Sequence, residues 1–72
     1  MIHRYTVVFE KGPRSYGVFV PDLPGCVAVA KSRPAADRLI REAIKLHLDD
    51  MRDRGLRAPR PLAVADLVEV AV

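Results

Sequence analysis

Asp22 is the residue whose surroundings come nearest to those of a catalytic carboxylate. It lies in the run VPDLPGC at residues 20–26. A metal-dependent nuclease needs several acidic ligands that converge on one point. Glu10 is expected at the far end of its strand, and the acids at residues 49, 50 and 53 lie late on a predicted helix. The alternative is that Asp22 accepts hydrogen bonds from backbone N–H groups of its own turn. The sequence favours this alternative, so neither a metal site nor a cofactor is expected.

The other groups able to do chemistry are isolated from one another. His47 falls on the apolar side of the predicted helix, and His3 has no acid or base beside it. Cys26 is the only cysteine, so it cannot form an internal disulfide and a cysteine-based metal site is not expected. Patterns typical of phosphate-binding loops, dinucleotide sites, zinc fingers and serine hydrolases are absent. No catalytic residue is therefore assigned, and the chain is predicted not to be an enzyme.

Basic residues give the chain a net charge of +3. They recur along the predicted helix and the connector after it, at Arg38, Arg41, Lys45, Arg52, Arg54, Arg57 and Arg60. Such a series could attract RNA or DNA, or it could form an ordinary solvated surface. Tyr16 and Phe19 would suit base stacking only if they shared a face of a sheet. Alternation along a strand places them on opposite faces, which argues against that mode of RNA binding.

Four extended segments and one helix are predicted to position these residues. Period-two alternation predicts strands at residues 3–10 and 15–20, joined as a hairpin through a turn at 11–14. Pro21, Pro24 and Gly25 then turn the chain toward a third strand at 26–30. Ser32 and Pro34 are typical of a helix start, and Gly55 of a helix end. Residues 63–72 return to β character. The residues that recur on one side of the predicted helix are His47 and six apolar residues, Ala36, Leu39, Ile40, Ala43, Leu46 and Met51.

The order β-β-β-α-β predicts an α+β fold. A meander followed by a right-handed crossover through the helix gives a mixed four-stranded sheet of order 3-2-1-4, with the helix packed on one face. The other face and the open edges remain uncovered, which predicts a partner such as a second copy of the chain. Seventy-two residues suit a single domain over 1–72. No apolar run approaches the ~20 residues of a membrane span, and the start lacks a signal-peptide core, so a cytoplasmic location is expected.

Several segments in combination resemble the HicB family of bacterial antitoxins. They are YTVVFE at residues 5–10, the strand at 16–20, PDLPGC at 21–26 and EAIKLHL at 42–48. The resemblance implies one HicB-like domain over residues 1–72, of the short UPF0150 type. It also implies a truncated ribonuclease-H-like β-β-β-α-β fold that lacks the catalytic acids of that enzyme. Many family members continue into a DNA-binding segment; none is expected here, because the sequence stops after the fourth predicted strand.

The resemblance further implies a non-enzymatic antitoxin of a type II toxin–antitoxin pair. Such a protein binds and neutralises a HicA-type toxin, which cleaves mRNA, and we expect it to act as a dimer or tetramer. Tyr16, Asp22, Leu23 and Pro24 are the expected toxin-binding residues, because the turn is expected to be exposed. The alternative is an orphan basic domain that binds RNA or DNA directly. A residual nuclease that uses Asp22 is the third hypothesis. The nucleic-acid alternative would use Arg38, Arg41, Lys45, Arg52 and Arg54.

Overall fold

The computed structural model describes residues 2–72 and shows three strands followed by one helix. Strand β1 spans Val8–Lys11, β2 spans Tyr16–Phe19, β3 spans Val27–Ala30, and helix α1 spans Arg33–Asp53. The strands form an antiparallel meander of order β1-β2-β3. The first three predicted strands and the helix are therefore confirmed, although each strand is shorter than its sequence pattern.

The prediction of a fourth strand at residues 63–72 is wrong. Residues 56–72 form neither strand nor helix, so the fold is β-β-β-α and the sheet order is 1-2-3 rather than 3-2-1-4. The ribonuclease-H-like β-β-β-α-β arrangement implied by the resemblance is not found either, because that arrangement requires the fourth strand. After the helix, the chain returns to the segments beside the sheet at Pro59, which meets Tyr5, and at Ala63, which meets Thr6 and Asp22. Alternation of apolar and polar residues favours an extended strand, but it does not determine which strand of a sheet the segment pairs with.

The strand register gives the sheet one covered and one uncovered face. Phe9, Val18 and Ala28 stand opposite one another in a row that belongs to the hydrophobic core beneath α1. Because neighbouring side chains in a strand point to opposite faces, Phe19 and Val27 lie on the other side. Val27 is 61% exposed. The uncovered face expected from the sequence is therefore present.

Helix α1 begins and ends at the predicted signals. The Ser32 hydroxyl accepts a hydrogen bond from the Ala35 N–H at 3.2 Å. At the other end, Gly55 has a φ of +73°, and the N–H groups of Gly55 and Leu56 donate to the carbonyls of Arg52 and Met51. These two hydrogen bonds form a Schellman motif, which ends the helix. Among residues 2–72, no helix combines the length and the apolar character needed to cross a membrane.

The buried side of α1 contains fewer residues than the apolar periodicity of its sequence predicts. Ala36 and Ile40 are buried, and Ala43 is partly buried against the core. Leu39 and Leu46 were predicted for the same side, but both are exposed, Leu46 at 69%. A three-stranded sheet covers only part of the helix surface, so the flanking apolar positions remain in solvent.

The turn at residues 20–26 supplies three of the buried core residues. Val20, Leu23 and Cys26 are buried, and the Leu23 side chain is fully enclosed. The Val20 carbonyl accepts from the Leu23 N–H at 3.0 Å, the Leu23 carbonyl accepts from the Cys26 N–H at 3.0 Å, and the Val20 N–H donates to the Cys26 carbonyl at 3.1 Å. Gly25 has a φ of +84°, which side chains with a Cβ rarely adopt. The turn therefore folds back on itself and inserts Leu23 between sheet and helix.

Replacing Leu23 by Ala is expected to lower the free energy of unfolding by about 2–5 kcal/mol, because it removes buried methyl groups and leaves a cavity. Urea unfolding followed by circular dichroism measures this change. Leu46→Ala is the matched control: the same atoms are removed from an exposed position, so a change within about 0.5 kcal/mol is expected. Equal effects of the two substitutions would contradict the placement of Leu23 in the core.

Candidate binding surface

The four residues predicted to bind a toxin do not share one exposed surface. Leu23 is 0% exposed, so the expectation that it lies on an exposed hinge is wrong. Tyr16 is half-buried against the core at the first position of β2. A strand advances about 3.3 Å per residue, so Tyr16 and the turn lie at opposite ends of β2. The structure brings together Asp22, Leu23 and Pro24 only.

The turn presents an exposed rim above its buried anchor. Pro21, Pro24 and Gly25 are exposed, while Leu23 beneath them fills the core. Proline fixes φ near −65°, and the three backbone hydrogen bonds of the turn hold its ends together. A surface that is already ordered loses little conformational entropy when a partner binds. The rim therefore has the properties of a preorganised contact surface.

Asp22 holds a distant segment of the chain against this turn. Its carboxylate oxygens accept from the Ala63 N–H at 2.9 and 3.2 Å. The Thr6 hydroxyl donates to the Ala63 carbonyl at 2.8 Å, and the Tyr5 hydroxyl donates to the Pro59 carbonyl at 2.6 Å. We call these contacts of Asp22, Thr6 and Tyr5 with residues 59–63 the tether. Asp22 does accept from a backbone N–H, but the donor is 41 residues away rather than in its own turn.

Sequence reasoning missed the tether because side-chain to backbone bonds over such separations leave no periodic pattern. Thr6 and Ala63 have no chemical feature that would single them out. The only sequence signal is indirect: Pro59 and Pro61 keep the connector extended. An extended connector can lie along the domain surface and offer its backbone groups to side chains.

Burial and charge change the titration of two side chains at this end of the domain. Burial raises the pKa of the Tyr5 hydroxyl above its ordinary value of 10.0, and the nearby Asp22 carboxylate raises it further. Burial also raises the pKa of the Cys26 thiol. A thiol with a raised pKa holds its proton and is a poor nucleophile. Together with its burial, this gives Cys26 a packing role in the core.

The convergence of acidic ligands required by the nuclease hypothesis is not found. Within residues 2–72, no three side chains of His, Cys, Asp or Glu come close enough to hold a metal ion. Asp22 uses both carboxylate oxygens in the tether instead. The geometry therefore supports a structural role for this carboxylate.

The basic residues of α1 are interleaved with acidic ones. The helix contains five basic and five acidic residues. Arg41 pairs with Asp37 at 2.8 Å, and three further ion pairs form late in the helix and at its cap. Exposed pairs of this kind stabilise little, but they cancel charge locally. Arg38 and Lys45 are exposed on the same helix. Helix α1 therefore lacks the patch of uniformly positive charge that is typical of a nucleic-acid-binding site. The three further pairs are Arg52 with Asp49 at 3.7 Å, Arg52 with Asp53 at 3.8 Å and Arg54 with Asp50 at 3.4 Å.

Comparison with known proteins gives a family match over almost the whole chain. A family described as HicB_like antitoxin of bacterial toxin-antitoxin system matches residues 5–71. A UPF0150 protein of Helicobacter pylori is 50% identical over 44 residues, which cover 61% of this chain and 61% of that protein. A UPF0150 protein of Thermoplasma acidophilum is 34% identical over 58 residues, 79% of this chain and 84% of that protein. The match thus spans less than two thirds of the first relative and most of the second.

Asp22→Ala is expected to release residues 59–63 from the turn, because the Ala63 N–H loses its acceptor. Hydrogen exchange at the Ala63 amide should accelerate by about tenfold or more, the factor that corresponds to losing a hydrogen bond to a charged group. Asp66→Ala is the control, since Asp66 bonds only to the neighbouring Leu67 N–H. Unchanged exchange at Ala63 in the Asp22 variant would contradict the tether.

Asp22→Asn is expected to lower the pKa of Tyr5 part of the way toward 10.0, because the charge contribution disappears while the burial contribution remains. Tyrosinate absorbance, recorded in a Tyr16→Phe background, isolates the Tyr5 titration. Since the folded-state pKa is raised, the stability contributed by Tyr5 is fully present below its unfolded pKa and is lost as pH rises through the folded value. An identical Tyr5 pKa with and without the Asp22 charge would contradict their proximity.

Proposed function

Since the chain belongs to the HicB-like antitoxin family of bacterial toxin–antitoxin systems, we propose that it binds and neutralises a HicA-type, mRNA-cleaving toxin and catalyses no reaction itself. The family match over residues 5–71 carries this proposal. In it, residues 1–72 act as one antitoxin domain in the cytoplasm, where an mRNA-cleaving toxin would act. Neutralisation then needs complementarity over an interface rather than a catalytic group.

The toxin contact that we propose is the exposed rim of the turn, with Pro21 and Pro24 at its centre and Asp22 at its side. Leu23 supports this surface from below and does not itself touch the toxin. Tyr16 lies outside the proposed contact, because it packs at the far end of β2. The well-defined conformation of the rim supports this contact. The rim is exposed, its turn is closed by backbone hydrogen bonds, and the fully buried Leu23 side chain anchors it.

The tether enlarges this surface. A stable interface buries about 800 Å² on each partner, more than a single turn offers. The hydrogen bonds between Asp22 and Ala63 set the preceding residues of the connector beside the rim. Leu62, directly before Ala63, is 75% exposed. We propose that the rim and residues 59–62 contact the toxin together, which gives Asp22 an indirect role in binding.

Co-expression with a HicA-type toxin tests the proposal. The wild-type chain is expected to restore growth and to co-purify with the toxin. Pro24→Arg should weaken the complex by at least about tenfold, because a bulky charge is forced into the contact. Pro13→Arg is the matched control: it makes the same change in the exposed turn between β1 and β2, at the opposite end of the sheet. This control should bind and rescue like the wild type.

Two outcomes would contradict different parts of the proposal. Absence of both a complex and growth rescue with the wild-type chain would contradict the antitoxin function. Salt-dependent binding of RNA or DNA in its place would support the nucleic-acid alternative. Equal toxin binding by folded Pro24→Arg and Pro13→Arg variants would leave the antitoxin function standing and contradict the rim as the contact.

A further inference from the structure

The uncovered sheet face, which we call the outer face, is built from two rows of residues. The strand register sets Val8, Phe19 and Val27 in one row and Glu10, Gly17 and Val29 in the other. The residues that alternate with them, Phe9, Val18 and Ala28, pack in the core. The only helix among residues 2–72 packs on that opposite side, so no strand or helix of this part of the chain covers the outer face.

Gly17 leaves a hollow in the middle of the outer face. It stands on the central strand, between Glu10 of β1 and Val29 of β3. The hollow is part of an open depression of about 380 Å³ that also includes Phe19 and Val27. Its floor is therefore strand backbone, with apolar side chains and one carboxylate around it.

The domain itself does not require a glycine at residue 17. Among residues 2–72 the glycines with positive φ are Gly25 and Gly55, so the backbone at Gly17 is open to any residue. Apart from its chain neighbours, the nearest atom that an added Cβ would meet is the Glu10 carbonyl oxygen, at 4.0 Å. Glycine nevertheless weakens a strand, because it loses more entropy on folding and packs no side chain. A strand glycine that its own fold does not require indicates the close approach of another molecule.

The outer face continues into the proposed toxin contact. Phe19 and Val27 flank the turn at residues 20–26, whose rim is the centre of that contact. The residues on either side of Thr6 pack against the core, so Thr6 belongs to the outer side of the sheet. There its hydroxyl binds the Ala63 carbonyl at the end of the connector. The rim, the end of the connector and the outer face therefore border one another.

Charge favours the toxin over a second copy of this chain as the occupant. Glu10 is the one charged residue in the two rows, since Lys11 stands opposite the core residue Tyr16 and belongs to the other face. A protein that cleaves mRNA must hold phosphate groups and therefore carries Lys and Arg on its surface, which can pair with Glu10. A two-fold contact of the outer face with itself would set each Glu10 against an uncharged row residue or the other Glu10, which leaves a carboxylate unpaired.

We infer that the toxin covers the outer face together with the rim. One of its apolar side chains enters the hollow over Gly17, and one of its basic side chains pairs with Glu10. The inference rests on the proposed antitoxin function and names the surface through which that function acts. Residue 17 decides the fit, because a side chain there would occupy the space that the toxin side chain needs.

Gly17→Val tests the hollow. Valine is favoured in strands and meets no close atom at this position, so the variant should unfold at the wild-type temperature or above it. Its dissociation constant for a purified HicA-type toxin, measured by isothermal titration calorimetry, should rise at least about tenfold, because the added methyl groups fill the hollow. Gly17→Ala should give a smaller rise. Lys45→Val is the control, since it places a valine at an exposed position of α1 and should bind like the wild type.

Glu10→Lys tests the charge. Its dissociation constant for the toxin should rise several-fold at low salt and less at high salt, because salt screens the repulsion between exposed charges. Glu42→Lys is the matched control: it makes the same change at an exposed position of α1. This control should bind the toxin like the wild type.

Different outcomes would overturn this inference and the antitoxin function. Equal toxin binding by Gly17→Val and the wild type would overturn the occupied hollow and leave the function standing, because Pro24→Arg tests the rim separately. Equal binding by Glu10→Lys and Glu42→Lys would overturn it on grounds that do not depend on residue 17. Loss of self-association in Gly17→Val with unchanged toxin binding would assign the hollow to a second copy. A wild-type chain that does not bind the toxin would overturn both proposals.

Discussion

Burial of Leu23 is the constraint on which the rest of this small domain depends. The side chain comes from a turn rather than from a strand or helix, yet it is fully enclosed, as Ile40 of α1 nearly is. A three-stranded sheet and one helix leave an open end between them, and the turn closes it. The conformation that places Leu23 in the core is held by Pro21 and Pro24, by the backbone hydrogen bonds of the turn and by Gly25. The outer rim of the turn is ordered because its underside is part of the core.

The tether extends this order to the segment after the helix. Asp22, next to the buried leucine, accepts from Ala63, and Thr6 and Tyr5 bind the carbonyls of the same segment. These bonds join the start of the chain, the turn and residues 59–63 at one end of the sheet. They also set the point from which residues 64–72 leave the domain. One carboxylate thus influences the proposed toxin surface.

The charge distribution fits a protein that acts by contact. The basic residues of α1 are matched by acids on the same helix, and three arginines are paired with aspartates. Several exposed surface groups are instead apolar: the rim prolines, the exposed valines of β3 and the valines of residues 64–72. Membership of the HicB-like antitoxin family gives this arrangement a functional setting. A protein that neutralises another by covering it needs such surfaces and does not need a reactive group.

The sequence by itself determined the local elements and the family. Alternation marked the three strands that form and also a fourth, at residues 63–72, that does not. Ser32 and Gly55 marked the ends of the helix, and the PDLPGC run marked both the turn and the HicB resemblance. These signals are local, because caps, turns and periodicity act over a few residues. Only the tertiary structure decided that Leu23 points inward, that Asp22 bonds to Ala63, and that residues 64–72 pair with no strand among residues 2–72. Each of these depends on which distant surfaces meet, and a pattern of residue types carries no information about the partner across space.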